Sequence, residues 1–327
     1  MSEPPIYALH AFRPNHFDHM IAASLKKTRS IHQRLACAVV IFIGCSLGMF
    51  AAEGAEPPAS FIEAPNKSFA IQVFANGLPI WLTVDTGSGT ILDPSLKRPL
   101  GLKYKGKRSY VFASVGKVVV RQSEVTISVP GFVANAHPCY VASMKELVPQ
   151  KSQFARGFLG TDFLSKAGAI INFRDNSIRF TGGVSVANDS PKDMLPLPFD
   201  IIEGVGPTIK LRINGRDVIA LIDTGCIETT ALWDAVLPNE VGVKKGPTGV
   251  DYTVVDRIDF INQKIGTVSV GHVMVNVWLK ERPGADVQPL AAITRVYLGL
   301  DLLRYLGAII DYPAGILYIS KEAQQRE

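Results

Sequence analysis

The chain has 327 residues, 47% hydrophobic and 19% charged, a globular composition long enough for about two domains with a sizeable core. Its net charge is +5, but Met1–Ala52 holds five Lys or Arg against two Asp or Glu, so that leader supplies +3 and the rest is close to neutral. No basic face that tracks phosphates follows, and nucleic acid is not an expected partner. The four cysteines, Cys37, Cys45, Cys139 and Cys226, form no C-x-x-C pair, and the six His residues lack ligand spacing. Neither a metal nor a cofactor is expected.

Residues 1–34 form a basic N-terminal region, with Lys26, Lys27, Arg29 and Arg34 just ahead of an uncharged run, Leu35–Ala52. A basic flank before an apolar run reads as an export signal, either a cleaved signal peptide or a membrane anchor. The expected location of the body is therefore periplasmic or otherwise extracytoplasmic, close to the inner membrane if the run is retained. Residues 53–65, with Pro57-Pro58, read as a linker.

The body contains an internal repeat. Ala70–Gly77 and Leu78–Val84 lead into Asp85-Thr86-Gly87-Ser88, and Thr208–Gly215 and Arg216–Ile222 lead into Asp223-Thr224-Gly225-Cys226. Each lead-in has Asn-Gly at its centre, Asn76-Gly77 and Asn214-Gly215, which accepts the two positive φ angles of a type I′ turn. Both stretches are expected to be tight β-hairpins.

A second block repeats downstream: Phe158-Leu159-Gly160-Thr161-Asp162 and Tyr297-Leu298-Gly299-Leu300-Asp301, each followed by an apolar strand, a turn and a final strand. Asp162 and Asp301 fall where a strand gives way to a helical turn, so helix capping is their expected role. Between the blocks, Val118–Val120, Val125–Val129, Val254–Phe260, Thr267–Val270 and Val273–Leu279 read as strands punctuated by Gly and Pro. Two all-β lobes follow, residues 66–190 and 191–327, with the boundary at the polar Asn188–Pro191.

A single Asp-Thr-Gly after a strand is an ordinary turn. Two in matching contexts point to two carboxylates brought face to face by a pseudo-twofold axis. Like charges a few ångströms apart share a proton, so one member can accept a proton from water while the other donates to a substrate carbonyl.

These two Asp-Thr-Gly stretches, with Leu159-Gly160 and Leu298-Gly299 downstream, resemble the aspartic peptidases of the pepsin and retropepsin clan, over about Asn66–Ser320. The short, similar lobes are nearer to a fused pair of retropepsin-like barrels than to pepsin. The resemblance implies two barrel lobes flanking a cleft, an endopeptidase acting on extended polypeptide, and a monomer, since one chain carries both lobes. It assigns Asp85 and Asp223 as the catalytic dyad and Thr86 and Thr224 as hydrogen-bonding partners across the lobes. Gly87 and Gly225 leave room for backbone donors, and Ser88 supports Asp85. Cys226 departs from the Ser, Thr or Ala expected there, and a thiol donates weakly. The family's covering flap has two candidates, Tyr104–Lys117 and Lys245–Val255, neither with the Tyr-Gly-x-Gly pattern of pepsins.

The alternative to an enzyme is a peptide-binding or scaffold module that keeps the lobes without turnover. A Cys139–Cys226 disulfide is compatible with export, and a small buried thiol at Cys226 is the simpler reading. Trp81, Trp233 and Trp278 read as core or cleft packing, and His272 as an exposed turn residue.

Overall fold

A computed structural model of the protein describes residues 59–63, 68–113, 116–148, 154–183, 191–232, 235, 244–245, 251–278, 294 and 296–322. The basic N-terminal region, the apolar leader and Trp233 lie outside the described residues. Among the described residues, no helix is long and apolar enough to cross a membrane.

Both Asn-Gly hairpins form. Strand Phe69–Ala75 turns into Leu78–Asp85 and strand Gly206–Ile213 into Arg216–Ile222. Asn76 and Asn214 have φ 45°, and Gly77 and Gly215 have φ 82°. These are the left-handed angles a two-residue type I′ turn requires. Each Asn also holds the turn to a third strand: Asn76 Oδ1 accepts from Thr126 N at 2.8 Å, and Asn214 Oδ1 accepts from Arg257 N at 3.1 Å.

That third strand closes a barrel. In the first lobe the six strands run, in spatial order, Phe69–Ala75, Leu78–Asp85, Gly157–Gly160, Ile91–Leu92, Phe132–Val141 and Gly116–Val129. The last pairs back onto the first through Phe74↔Ser128 and Ala75↔Ile127. In the second lobe the ring is Gly206–Ile213, Arg216–Ile222, Val296–Leu298, Thr230–Leu232, Gly266–Trp278 and Asp251–Asn262. It closes through Arg212↔Asp259 and Ile213↔Ile258. The fold is all-β, two closed six-stranded barrels, and among the described residues helices are limited to short pieces such as Thr161–Lys166 and Leu300–Tyr305.

Four of the expected strands merge in pairs into two. Val118–Val120 and Val125–Val129 belong to one strand, Gly116–Val129. The intervening Gln122 and Glu124 face solvent while Ser123 is buried and donates to the Lys103 carbonyl at 2.9 Å. Alternation thus continues through a stretch whose composition reads as a break. Thr267–Val270 and the following stretch are likewise one strand, Gly266–Trp278, in which exposed His272 takes φ 50°.

A third sheet joins the lobes. Its order is Ala59–Ser60, Ser177–Phe180, Ala169–Asn172, Ile309–Asp311, Ile316–Ser320 and Met194–Pro198. Three strands come from each half, and the halves meet antiparallel at Ile171↔Ile310. Those two residues occupy equivalent places in the repeat, so the pseudo-twofold axis passes between them. Ala59–Ser60 and Ile62–Glu63, within the stretch read as a linker, are short strands. One continuous apolar core runs from Phe61, Phe69 and Phe173 through Phe163 to Phe260 and Leu317. Full burial of such side chains stabilises the fold by about 1.5–3 kcal/mol each.

Candidate active site

Each Asp-Thr-Gly follows the second strand of its hairpin, where a parallel strand runs alongside. Val84 faces Leu159 and Asp85 faces Gly160, and Ile222 faces Leu298. The Leu-Gly pairs are required here by space: a Cβ on Gly160 would fall 2.5 Å from the Ser88 carbonyl oxygen, and one on Gly299 2.6 Å from Thr229 N.

The two loops then meet across the lobes. Thr86 N donates to Thr224 Oγ1 and Thr224 N to Thr86 Oγ1, both at 3.0 Å. Each hydroxyl passes its own proton to the other lobe, Thr86 Oγ1 to the Ile222 carbonyl at 2.5 Å and Thr224 Oγ1 to the Val84 carbonyl at 2.9 Å. Both threonines are fully buried. This reciprocal set fixes one loop on the other with no freedom to slide.

Each carboxylate as a result lies against the loop of the other lobe. A Cβ on Gly87 would fall 2.6 Å from Cγ of Asp223, and one on Gly225 would fall against Cγ of Asp85. Each glycine therefore gives the other lobe's carboxylate its place. Gly87 N donates to Asp85 Oδ1 at 3.0 Å, and Gly225 N and Cys226 N donate to Asp223 Oδ1 at 2.9 and 3.1 Å. Asp85 is buried and Asp223 half-buried.

Ser88 and Cys226 turn their side chains to neighbouring carbonyls. Ser88 Oγ donates to Gly89 O at 3.1 Å and Cys226 Sγ to Glu228 O at 3.0 Å. Backbone N–H groups hold Asp223, so a thiol in place of a hydroxyl does not remove its anchor. Cys226 is partly exposed rather than buried, and it and buried Cys139 are not joined in a disulfide. Burial, with Asp162 and Glu124 adding to it, pushes the Cys139 thiol up to about 12. Cys139 is an inert core thiol at physiological pH.

Asp162 and Asp301 have a larger task than capping. Glycines occupy the cap positions of their helices, Gly160 and Gly299. Asp162 Oδ1 accepts from Thr90 N and Thr90 Oγ1 at 2.9 and 2.7 Å, and Asp301 Oδ1 accepts from Thr229 N and Thr229 Oγ1 at 2.8 and 2.7 Å. They brace the chain leaving each Asp-Thr-Gly loop. His137, buried against Phe163, lies 3.4 Å from Asp162 Oδ2. Partial burial pushes the Asp162 carboxyl up, but bonds from His137 and Thr90, the charge of His137 and the Phe163 N–H outweigh it and hold the group below the ordinary carboxylate range.

Two tyrosines reach the loops. Thr161 Oγ1 donates to the Thr86 carbonyl at 2.9 Å and lies 2.7 Å from the Tyr312 hydroxyl. Tyr297 packs with Val205 and Leu221 beside Cys226. Burial raises its phenol, a Thr294 hydrogen bond offsets part of that, and Asp223 and Cys226 raise it further. The sequence reading missed Thr90, Thr161, Thr229, Tyr297 and Tyr312. The one available signal was the repeat itself, in which Thr161 aligns with Leu300, Phe158 with Tyr297 and Phe173 with Tyr312.

Strands Lys105–Ala113 and Gly116–Val129 form a hairpin that spans the described part of the first flap candidate, and Val118 and Val120 pack with Ile91 and Met144. In the second candidate only Lys245 and Asp251–Val255 are described, with Lys245 pairing Asp251. Trp81 packs its ring 5.3 Å from that of Phe154.

Two acids on twin β-loops, tied together by reciprocal threonine bonds, are the arrangement that the resemblance to aspartic peptidases implies. Residues 71–163 match the family model for an aspartyl protease, a stretch running from the first hairpin to the helix behind its Leu-Gly strand. With the second barrel, the architecture fits a tandem retropepsin-like protein. No curated protein matches the chain. The family match supports a protease-type function in general.

Proposed function

We propose that this protein is an exported aspartic endopeptidase that hydrolyses extended polypeptide in the cleft between its lobes, with Asp85 and Asp223 as a dyad sharing one proton. The reciprocal threonine bonds, which press each Asp-Thr-Gly loop against the other lobe's carboxylate, carry this reading. A water between the carboxylates loses a proton to the ionised member as it attacks the peptide carbonyl carbon. The protonated member donates to the carbonyl oxygen, so that charge is neutralised as it develops. Collapse of the tetrahedral species breaks the C–N bond, with a proton returned to the leaving amine. The two titrations belong to the pair.

The hairpin ending near residues 113–116 is the covering flap in this reading. Export rests on the basic flank and apolar run of the leader, which either is removed or tethers the protein to the membrane. Because both lobes belong to one chain, the working form is a monomer.

The test compares the wild type with Asp85→Asn and Asp223→Asn on an unfolded protein substrate from acid to neutral pH. Each variant is expected to lose roughly 10³-fold or more in kcat/KM. Cleavage that persists in both variants overturns the mechanism. A wild type that binds unfolded polypeptide but cleaves none at any pH identifies a peptide-binding module instead.

A further inference from the structure

The peptide unit between Thr86 and Gly87 has both ends occupied. Its N–H donates to Asp85 Oδ1 at 3.0 Å, and its carbonyl accepts from Thr161 Oγ1 at 2.9 Å. The single hydroxyl proton of Thr161 is used in that bond, so at the 2.7 Å contact with Tyr312 the phenol is the donor. A chain of donors thus runs in one direction, from Tyr312 through Thr161 and the Thr86–Gly87 peptide to the Asp85 carboxylate. Hydrogen bonds aligned this way polarise one another. Tyr312 is 6% exposed. Burial raises its phenol far above the ordinary range, against the Thr161 bond and with the charges of Asp85, Asp162 and Asp223 adding to the rise. It therefore stays a donor wherever the carboxylates titrate.

The second loop lacks this chain. The residue equivalent to Thr161 is Leu300 and that equivalent to Tyr312 is Phe173, neither with a hydroxyl. The two hydroxyls come from opposite halves of the repeat, 151 residues apart, yet converge on one loop.

Resting on the dyad reading above, we infer that Tyr312 and Thr161 are positioning residues that act on Asp85 and not on Asp223, making the symmetric carboxylates unequal. Asp85 is the more buried of the two, which disfavours its charge; the donor chain opposes that by strengthening the Gly87 N–H bond to the ionised form. Among the described residues, the other titratable groups around the loops are Asp223, Asp162 with His137 behind it, and on the second lobe Asp301, Glu228, Tyr297 and Cys226.

Carboxyl-carbon NMR titration of the full chain tests this without requiring turnover. In the Asp223→Asn background, where Asp85 titrates alone, adding Tyr312→Phe or Thr161→Val is expected to raise its midpoint by about 0.3 pH units. In the Asp85→Asn background the same changes leave Asp223 where it was. Phenylalanine already occupies the equivalent place at Phe173, so Tyr312→Phe keeps the fold. No shift at Asp85, or an equal shift at both carboxyls, overturns the inference. In an active wild-type enzyme the acid limb of kcat/KM also moves up in Tyr312→Phe, with KM unchanged. A chain that shows the selective shift but no proteolysis retains the donor chain and loses only the proposed function.

Discussion

The proposed carboxylate pair is useful only at a fixed separation, and two threonines and two glycines position the loops that carry it. Thr224 accepts from Thr86 N and donates to the Val84 carbonyl, in a place closed to water. Thr224→Val leaves both groups unpaired and is expected to cost about 2–4 kcal/mol in urea denaturation, whereas Thr224→Ser keeps both bonds and most of the stability. At Gly87 the constraint is space, since a Cβ would meet the Asp223 carboxylate at 2.6 Å. Gly87→Ala should reduce kcat by roughly 10²-fold, because the carboxylate must shift off its reacting position. Its stability should fall much less, and kinetics compared with denaturation separates the two effects.

At the level of elements, the hairpins deliver the carboxylates and the helices behind them hold the loops. Gly77 has φ 82° and open space around its Cβ position. Gly77→Ala therefore tests backbone strain alone and should cost about 1–2 kcal/mol in urea denaturation. The duplicated turn at Gly215 should respond equally, as its angle and surroundings are the same. Behind the first loop, Asp162 links Thr90, Phe163 and His137. Because its folded-state carboxyl titrates below the ordinary carboxylate value, its contribution is fully present above that value. It is lost as pH falls through the folded one. Acid denaturation followed below about pH 4 should thus be shallower in Asp162→Asn than in the wild type.

Across the whole molecule, the two barrels share a sheet and a core, so one chain brings both Asp-Thr-Gly loops together. Specific activity should stay constant on dilution, in contrast to a homodimer whose site is split between subunits; activity measured across a dilution series checks this. Buried Asp311, at the lobe-joining sheet, works against Asp162 on the acid side. Burial raises its carboxyl, and the Ala314 N–H and Arg179 offset only part of that. It therefore favours the fold as pH drops through its titration, and Asp311→Asn should remove that compensation.

Much of this architecture was legible in the chain because it is written twice in local chemistry. Asn-Gly encodes a type I′ turn, alternating apolar residues encode the strands, and matched copies of Asp-Thr-Gly and Leu-Gly encode two lobes with one loop each. Those signals are short-range, and they determined the fold class and the two Asp-Thr-Gly loops. What they do not carry is partnership across the lobes. Thr161 reads as a polar residue opening a short helix and Tyr312 as a strand-end aromatic, and only the pseudo-twofold packing brings them to 2.7 Å. Likewise Asp162 resembles a helix cap until the barrel places Thr90 beneath it. Cys226 drew attention as a weak side-chain donor, but tertiary structure gave the task of holding Asp223 to backbone N–H groups, which residue identity does not reveal.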